Sequence, residues 1–200
     1  MTGQIFSVVG INDYRGMIMD IVKICLDFGA SKAEEIPVSK LVLQADLHDY
    51  CKQNACGRYG KSYTCPPLIG NAEDLIAKLR TFDGAVFLQN IYPLEDSFDF
   101  EGMMDGNHQH NVMTLKIAER VYSELGREKS LVLAAGGCSI CKTCGVITNE
   151  PCRDSQNAIS SLEAYGVNVS QIGEVSGLKY INGINTVTYF SGVFRRDYGH

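Results

Sequence analysis

The stretch SLVLAAGGCSICKTCG, residues 130–145, joins an apolar segment directly to three closely spaced cysteines. A continuous apolar run such as 130–137 is typical of a strand that is buried on both faces of a sheet. We therefore expect this strand to lie inside the fold and to carry a cysteine-rich loop, residues 136–153, at its end.

Helices and strands alternate along most of the chain. Apolar periodicity, helix caps and glycine stops predict the individual elements. They are helices at 13–28, 71–82 and 108–126 and a short one before Gly166, strands at 36–43, 84–92, 167–175 and 185–194, and an irregular loop at 93–107. This pattern predicts one domain, residues 1–200, of the α/β or α+β class, in which helices pack on a small sheet and two cysteine-rich loops bind metal.

The composition is that of a globular protein, with 45% apolar and 20% charged residues. The net charge of −5 argues against nucleic acid or an anionic membrane as a partner, because both attract basic surfaces. The first residues lack the pattern of a signal peptide, and no apolar run reaches the roughly 18 residues of a membrane-spanning helix. We expect a cytoplasmic protein with neither a nucleic-acid nor a membrane partner.

Seven of the eight cysteines fall into two groups. The first group, in the loop 51–67, has the spacing C-x4-C-x8-C and consists of Cys51, Cys56 and Cys65. The second group has the spacing C-x2-C-x2-C-x7-C and consists of Cys138, Cys141, Cys144 and Cys152. Clustered cysteines in a reducing compartment indicate metal binding or catalysis rather than disulfides.

The spacing of the second group favours an iron–sulfur cluster over a zinc ion. A zinc site usually takes its four ligands from two C-x2-C pairs that lie far apart in the sequence. A [4Fe–4S] cluster has four separate iron atoms, and bacterial ferredoxins bind three of them with one C-x2-C-x2-C loop. Zinc and unligated structural cysteines remain the alternatives. The first group is less specific, so a structural zinc loop or free thiols stay open there beside a second cluster.

Glycines and cations near the cysteines suit a negatively charged cluster. Glycine lets the backbone approach closely and direct N–H groups at sulfur, and the second loop has three: Gly136, Gly137 and Gly145. The basic residues of the two loops are Lys52, Arg58, Lys61, Lys142 and Arg153. A helix predicted to begin near Asp154 would add its positive end close to Cys152.

The number of thiols leaves one ligand position open. Two fully thiolate-ligated [4Fe–4S] clusters need eight cysteines, and the two groups supply seven. Cys25 stands alone in an apolar helical pattern, where a cysteine is usually a small core residue. The first group is therefore expected to leave one iron for another side chain, water or a substrate. His48 is the better candidate for a non-cysteine ligand, whereas His108 and His110 are expected at the solvated start of a helix.

These motifs resemble a family of small prokaryotic proteins described as predicted metal-binding proteins of unknown function. The similar elements are C-x4-C-G-R-Y-G with C-P-P, then A-G-G-C-x2-C-x2-C, then P-C-R-x9-E-A-Y-G-V-N-V, from about Val38 to the last strand. The resemblance implies that all seven clustered thiols are metal ligands: Cys51, Cys56, Cys65, Cys138, Cys141, Cys144 and Cys152. The family tends to occur in anaerobes, which suits oxygen-sensitive clusters, and it implies no reaction.

Three functions follow from these observations. The favoured one is electron transfer to a cytosolic protein partner through two [4Fe–4S] clusters. The second is an enzyme or a metallocofactor-handling protein, in which a three-cysteine cluster presents an open iron to a small-molecule ligand. The third is a zinc-stabilised module for protein interaction. The sequence assigns no catalytic residue.

Overall fold

A four-stranded antiparallel sheet forms the centre of the computed structural model, which describes residues 19–197. Its strands are β1 (Lys32–Pro37), β2 (Gly84–Pro93), β3 (Ser130–Leu133) and β4 (Thr186–Arg195). Their order across the sheet is β1-β2-β4-β3, so the last strand in sequence lies between β2 and β3. In this register Phe87 of β2 faces Gly192 of β4, and Val132 of β3 faces Val193.

The helices of the described residues pack around this sheet. They are α1 (Ile21–Asp27), α2 (Leu47–Lys52), α3 (Ala72–Leu79), α4 (Phe100–Leu125), α5 (Gly145–Thr148) and α6 (Ile172–Ser176). Single 3₁₀ turns lie at Val38–Lys40, Glu163–Tyr165 and Val169–Gln171. The expected sheet with packed helices is confirmed. No helix within residues 19–197 combines the length and apolar character needed to cross a bilayer.

Both faces of the sheet are covered, which explains why β2 is apolar almost throughout. Successive side chains of a strand point to opposite faces. On one face Leu88 packs with Ile117 of α4 and with α1, whereas on the other Phe87 packs with α3 and meets Phe194 edge-on at 5.8 Å. Each large apolar side chain buried in this way stabilises the fold by roughly 1.5–3 kcal/mol.

The start of α3 shows how local sequence sets an element that supports the first cysteine loop. Asn71 caps the helix, since its side-chain oxygen accepts a hydrogen bond from the Asp74 N–H at 2.8 Å. The predicted helix at 71–82 is confirmed, although it ends at Leu79. Leu75 and Leu79 then bury its apolar face against the sheet. The loop 51–67 is thereby held between α2 and a firmly packed helix.

Two sequence predictions are wrong around prolines and glycines. The predicted strand 36–43 ends at Pro37, which lacks the N–H that continued pairing needs, and a 3₁₀ turn follows at Val38–Lys40. The predicted loop 93–107 contains the start of α4. Its glycines suggested a loop, but Gly106 allows close packing, because a Cβ there would lie 2.9 Å from Cγ of Tyr92.

Other predicted elements are shorter or of another type. The segment 167–175 is not a strand but the 3₁₀ turn Val169–Gln171 followed by α6, because its alternating apolar residues also fit short helical turns. The strand predicted at 130–137 ends at Leu133. The helices expected near Asp154 and before Gly166 are only turns. Of the helix predicted at 13–28, residues 13–18 lie outside the described residues, and the remainder forms α1.

Candidate metal centre

The two cysteine loops lie against each other beyond the carboxyl end of β3. Arg58 Nη1 donates a hydrogen bond to the Cys138 carbonyl at 2.6 Å, and the Cys138 N–H donates to Thr64 Oγ1 at 3.1 Å. Thr64 immediately precedes Cys65 in the sequence. One cysteine of each group therefore lies beside this shared contact.

Two glycines are required where backbone packs against the cysteine groups. A Cβ on Gly137 would lie 2.6 Å from Cys65 Sγ and 3.3 Å from Arg58 Cδ. A Cβ on Gly145 would lie 2.6 Å from the Glu150 carbonyl oxygen. Both distances are shorter than van der Waals contact. A larger residue at position 137 would therefore push the two loops apart, and one at position 145 would displace backbone within the second loop. The close backbone approach predicted for three glycines is confirmed for Gly137 and Gly145 and is wrong for Gly136, because nothing lies within 4 Å of a Cβ at that position.

All four thiols of the second group line one cavity of about 250 Å³. Four basic residues line the same cavity: Arg58, Lys61, Lys142 and Arg153. Arg58 and Lys61 belong to the first loop, so both loops bring positive charge to the second group. Asp154 is the one acidic residue among the lining residues described. The cavity thus combines soft anionic ligands with a surplus of cations.

An ion pair and a hydrogen bond to a backbone carbonyl hold Arg153 at the edge of this cavity. Its guanidinium pairs with Glu150 and donates to the Thr143 carbonyl at 2.8 Å. Glu150 contributes most to raising the pKa of Arg153, and the Cys141 thiol contributes as well. The guanidinium therefore lies close enough to Cys141 to stabilise a thiolate there. Lys52, by contrast, pairs with Asp49 at 2.6 Å and is absent from this cavity's lining.

The second-group thiols form one electrostatic unit. Burial raises the pKa of Cys138, and so do the neighbouring thiols Cys152, Cys141 and Cys144. Mutual repulsion of this kind opposes four thiolates in one place unless a cationic centre neutralises them. Thiolates are the preferred ligands of zinc and of iron–sulfur clusters, so the donor set fits either metal centre.

The first loop also donates hydrogen bonds toward the second group. Desolvation alone would raise the pKa of Cys144, but hydrogen bonds to its sulfur outweigh this effect and lower the pKa. The donors are the N–H groups of Val146, Tyr63 and Gly145 and the Ser62 hydroxyl. The Tyr63 hydroxyl further donates to the Glu150 carbonyl at 2.7 Å. Thiolate-stabilising donors at sulfur are what a metal–sulfur site requires from its surroundings.

The first group is spread along its loop. Cys51 lies on α2, Cys56 is exposed, and Cys65 is half-buried beside Gly137. Desolvation, then the charges of Cys56, Cys65 and Glu163, raise the pKa of Cys51. Cys51 therefore lies within electrostatic range of the two other thiols and of the Glu163 carboxylate.

Within the described residues, no three or more Cys, His, Asp or Glu side chains converge on a point as a single bound ion requires. The thiols of the second group instead face the shared cavity, and those of the first group follow their loop.

Comparison with known proteins assigns the chain to a protein family. Residues 34–194 match the family described as predicted metal-binding protein (DUF2284). The chain belongs to this family. The matched region contains both cysteine groups of the chain, so metal binding rests on the DUF2284 family as well as on cysteine spacing. No curated protein and no solved structure shows significant similarity to the chain.

The structure places Cys25 apart from both groups of this DUF2284 protein. Its side chain is 0% exposed and belongs to the core between α1, α4 and the sheet. Burial raises the pKa of this thiol to about 12, so a thiolate is strongly disfavoured there. The predicted core position of Cys25 is confirmed.

The histidines divide into three environments. His48 Nε2 donates to the Ala164 carbonyl at 2.8 Å, which leaves Nδ1 as its remaining nitrogen. His108 is exposed, as expected for a solvated helix start. The same expectation is wrong for His110, which is 0% exposed and bonds to Ser191 Oγ at 2.8 Å. Two residues apart on α4, the pair faces opposite environments.

Sequence reasoning missed the residues that support the metal centre from the other loop. Ser62 and Thr64 are buried and bond to the second group, although neither has a side chain typical of a metal ligand. Their position between Lys61 and Cys65 was the available signal, since hydroxyls inside a cysteine loop often donate to sulfur. Glu163 carried no comparable signal, because its proximity to Cys51 arises from tertiary packing.

Proposed function

We propose that this protein carries two [4Fe–4S] clusters, one at each cysteine group, and transfers electrons to a cytosolic protein partner. When bound, such a cluster supplies reversible one-electron storage, with a potential that charge and hydrogen bonds to sulfur adjust. The chain itself provides the thiolates, the cations and the N–H donors around them.

The second-group cavity supports an iron–sulfur cluster by its charge balance. A [4Fe–4S]²⁺ core with four thiolates has a net charge of −2, which is costly to desolvate without compensation. The four basic residues of the cavity and the N–H groups at Cys144 provide that compensation. The C-x2-C-x2-C spacing adds a loop that matches cuboidal clusters better than one ion.

The observation that carries electron transfer is the hydrogen-bonded contact between the loops. Arg58 links the two groups directly, and Gly137 allows Cys65 to lie against the backbone beside Cys138. Two clusters held in this way are neighbours with only a few protein atoms between them. Adjacent redox centres pass electrons in sequence, which is how multi-cluster carriers work.

Electron paramagnetic resonance of the anaerobically reduced protein tests this proposal. We expect two reduced-cluster signals whose lines are broadened by magnetic interaction, because the paramagnetic centres are neighbours. Cys141→Ser should remove one signal and the broadening together. A protein whose two signals superimpose without interaction, or that has no cluster signal, contradicts the proposal.

A second candidate is binding of a small molecule at the first group. A cavity of about 540 Å³ adjoins the first loop and is lined by residues that include His48, Tyr59 and Pro66. A three-cysteine cluster beside a cavity of this size can exchange its remaining ligand. Cyanide tests this function, because it should perturb one of the two signals; identical signals with and without cyanide count against it.

A further inference from the structure

The segment 95–105 combines exposed apolar side chains with acidic residues and contains no lysine or arginine. Phe98 is 79% exposed, Phe100 is 69% exposed and Met104 is 74% exposed. Five acids lie among them: Glu95, Asp96, Asp99, Glu101 and Asp105. Large apolar side chains gain free energy when they leave water, so three of them exposed in one short segment indicate an interaction surface.

Hydrogen bonds hold this segment in place at the start of α4. Asp99 caps the helix, because its carboxylate accepts from the Gly102 N–H at 2.8 Å and from the Glu95 N–H at 3.1 Å. The Tyr189 hydroxyl of β4 donates to the Met103 carbonyl at 2.6 Å. The exposed apolar side chains therefore extend from an ordered backbone, which lowers the entropy cost of binding a partner.

The turn before β4 adds another apolar residue beside this segment. The Leu94 N–H donates to the Asn185 carbonyl at 2.8 Å, and Asn185 Nδ2 donates to the Glu95 carbonyl at 3.2 Å. Ile184, which precedes Asn185, is 92% exposed. The end of the sheet where β2 stops and β4 starts thus has an apolar surface of four side chains: Phe98, Phe100, Met104 and Ile184.

This apolar surface lies one helical turn from a contact with the second cysteine loop. Asn107 and Asn111 of α4 both donate from their side chains to the Ala135 carbonyl, at 3.2 and 2.9 Å. Met104 precedes Asn107 by three residues, and residues three apart share a helix face. Ala135 in turn precedes Cys138 by three residues. A protein bound at the apolar surface would therefore lie near the segment that leads into the second group.

The charges around the apolar surface favour a basic partner. Four of the five acids are exposed, and none of the five forms an ion pair within residues 19–197. Their negative charge attracts a positive surface, and charges at the rim of an interface set the association rate and the choice of partner. A second copy of the chain would bring the same acids against them and be repelled.

We propose that the apolar surface is the docking site for a basic protein, with the exposed acids as its rim. Aromatic and methionine side chains inside a polar rim are typical of the centre of a protein–protein interface. That this basic protein is the redox partner rests on the proposed function, whereas the docking itself depends only on the described surface.

Charge reversal at two positions of α4 tests the acidic rim. Cytochrome c, a basic haem protein, is the probe in calorimetric titrations at low ionic strength. We expect Glu101→Lys to raise its dissociation constant at least about fivefold more than Glu119→Lys does. Both residues are exposed, and both substitutions change the net charge equally, so only the position of the charge differs. Equal effects of the two substitutions, or no binding by the unmodified chain, overturn the proposal.

Phe98→Ser tests the apolar centre of the docking site. We expect the dissociation constant to rise on the order of tenfold, whereas Val42→Ser, at an exposed apolar position outside the surface, should leave it unchanged. Since both side chains are exposed, thermal unfolding should show both variants to be folded. Unchanged binding by Phe98→Ser overturns the proposal, and so does a dimer of the unmodified chain that Phe98→Ser dissociates.

Iron and sulfide analysis of the same samples separates this proposal from the proposed function. Binding with the expected pattern by a chain without iron–sulfur clusters overturns the proposed function and supports the docking site. A chain with clusters that reduces cytochrome c equally fast in Glu101→Lys and Glu119→Lys overturns the docking site alone.

Discussion

Arg58 and Cys138 are 80 residues apart in the sequence, yet Arg58 Nη1 donates to the Cys138 carbonyl oxygen at 2.6 Å. The Arg58 charge also reaches Cys65, since it opposes the burial that raises the pKa of that thiol, and the side chains of both residues lie against Gly137. One cation therefore serves both cysteine groups, and its removal should affect both clusters.

Arg58→Met should make both clusters harder to reduce. Reduction adds negative charge, and a nearby cation stabilises it by about 1–2 kcal/mol at an effective dielectric constant near 20. We expect both midpoint potentials to fall by on the order of 50 mV in a redox titration. Lys116→Met, on the exposed surface of α4, is the control and should shift neither potential. Equal potentials in Arg58→Met and the unmodified chain would exclude this electrostatic role.

Gly137→Ala should disrupt the contact between the loops. Its Cβ would meet the Cys65 sulfur at 2.6 Å, so the first loop must move and the iron content should fall by up to about four atoms per chain. Gly136→Ala is the matched control, since nothing lies within 4 Å of its Cβ and the cost is backbone strain at φ +78°. That control should lose about 1 kcal/mol of stability and no iron. Full iron content in Gly137→Ala contradicts the described packing.

Cys141→Ser should lose the second cluster and much of the stability of the fold. Cluster binding and folding are coupled, and we expect about four of eight irons to remain. Cys25→Ala removes a cysteine from the core on α1 and should keep all the iron, although it costs about 1 kcal/mol through lost packing. Iron analysis and thermal unfolding of both variants measure these effects. Iron lost from Cys25→Ala would identify Cys25 as a ligand.

His110 should make the fold sensitive to acid. Burial lowers its pKa from 6.5 to about 4, so between these values the unfolded chain binds a proton that the folded chain excludes. The free energy of unfolding should therefore fall by about 2 kcal/mol from this group as the pH drops from 7.5 to 5. Anaerobic urea unfolding at the two pH values measures the difference. His110→Gln should lack this part of the pH dependence and exposed His108→Gln should retain it; an unchanged dependence in His110→Gln would rule out His110 as its source.

Local signals predicted the supporting elements well. The Asn71 cap of α3, the apolar strands β2 and β4, and the core position of Cys25 all follow from short-range patterns. Such patterns fail where one residue type has two structural roles, as glycine does in loops and at close packing contacts. The glycines of α4 suggested a loop, because the sequence does not show that Tyr92 packs against Gly106.

The candidate metal centre, too, was predictable from the sequence only in part. Cysteine spacing predicted the two groups, since it depends on neighbours in sequence. The glycines beside the cysteines predicted a close backbone approach, but not that Gly137 would lie against Cys65 of the other loop. The positions of Ser62 and Glu163 depend on how distant segments pack. The bridge between Leu43 and Val167, which lies shortly before α2 in the sequence, joins residues more than 100 positions apart.

Quantitation of iron, acid-labile sulfide and zinc in anaerobically purified full-length protein tests the central claim most directly. Two [4Fe–4S] clusters predict a brown protein with about eight irons and eight sulfides per chain and no stoichiometric zinc. A colourless protein with one or two zinc ions per chain and no sulfide would contradict it.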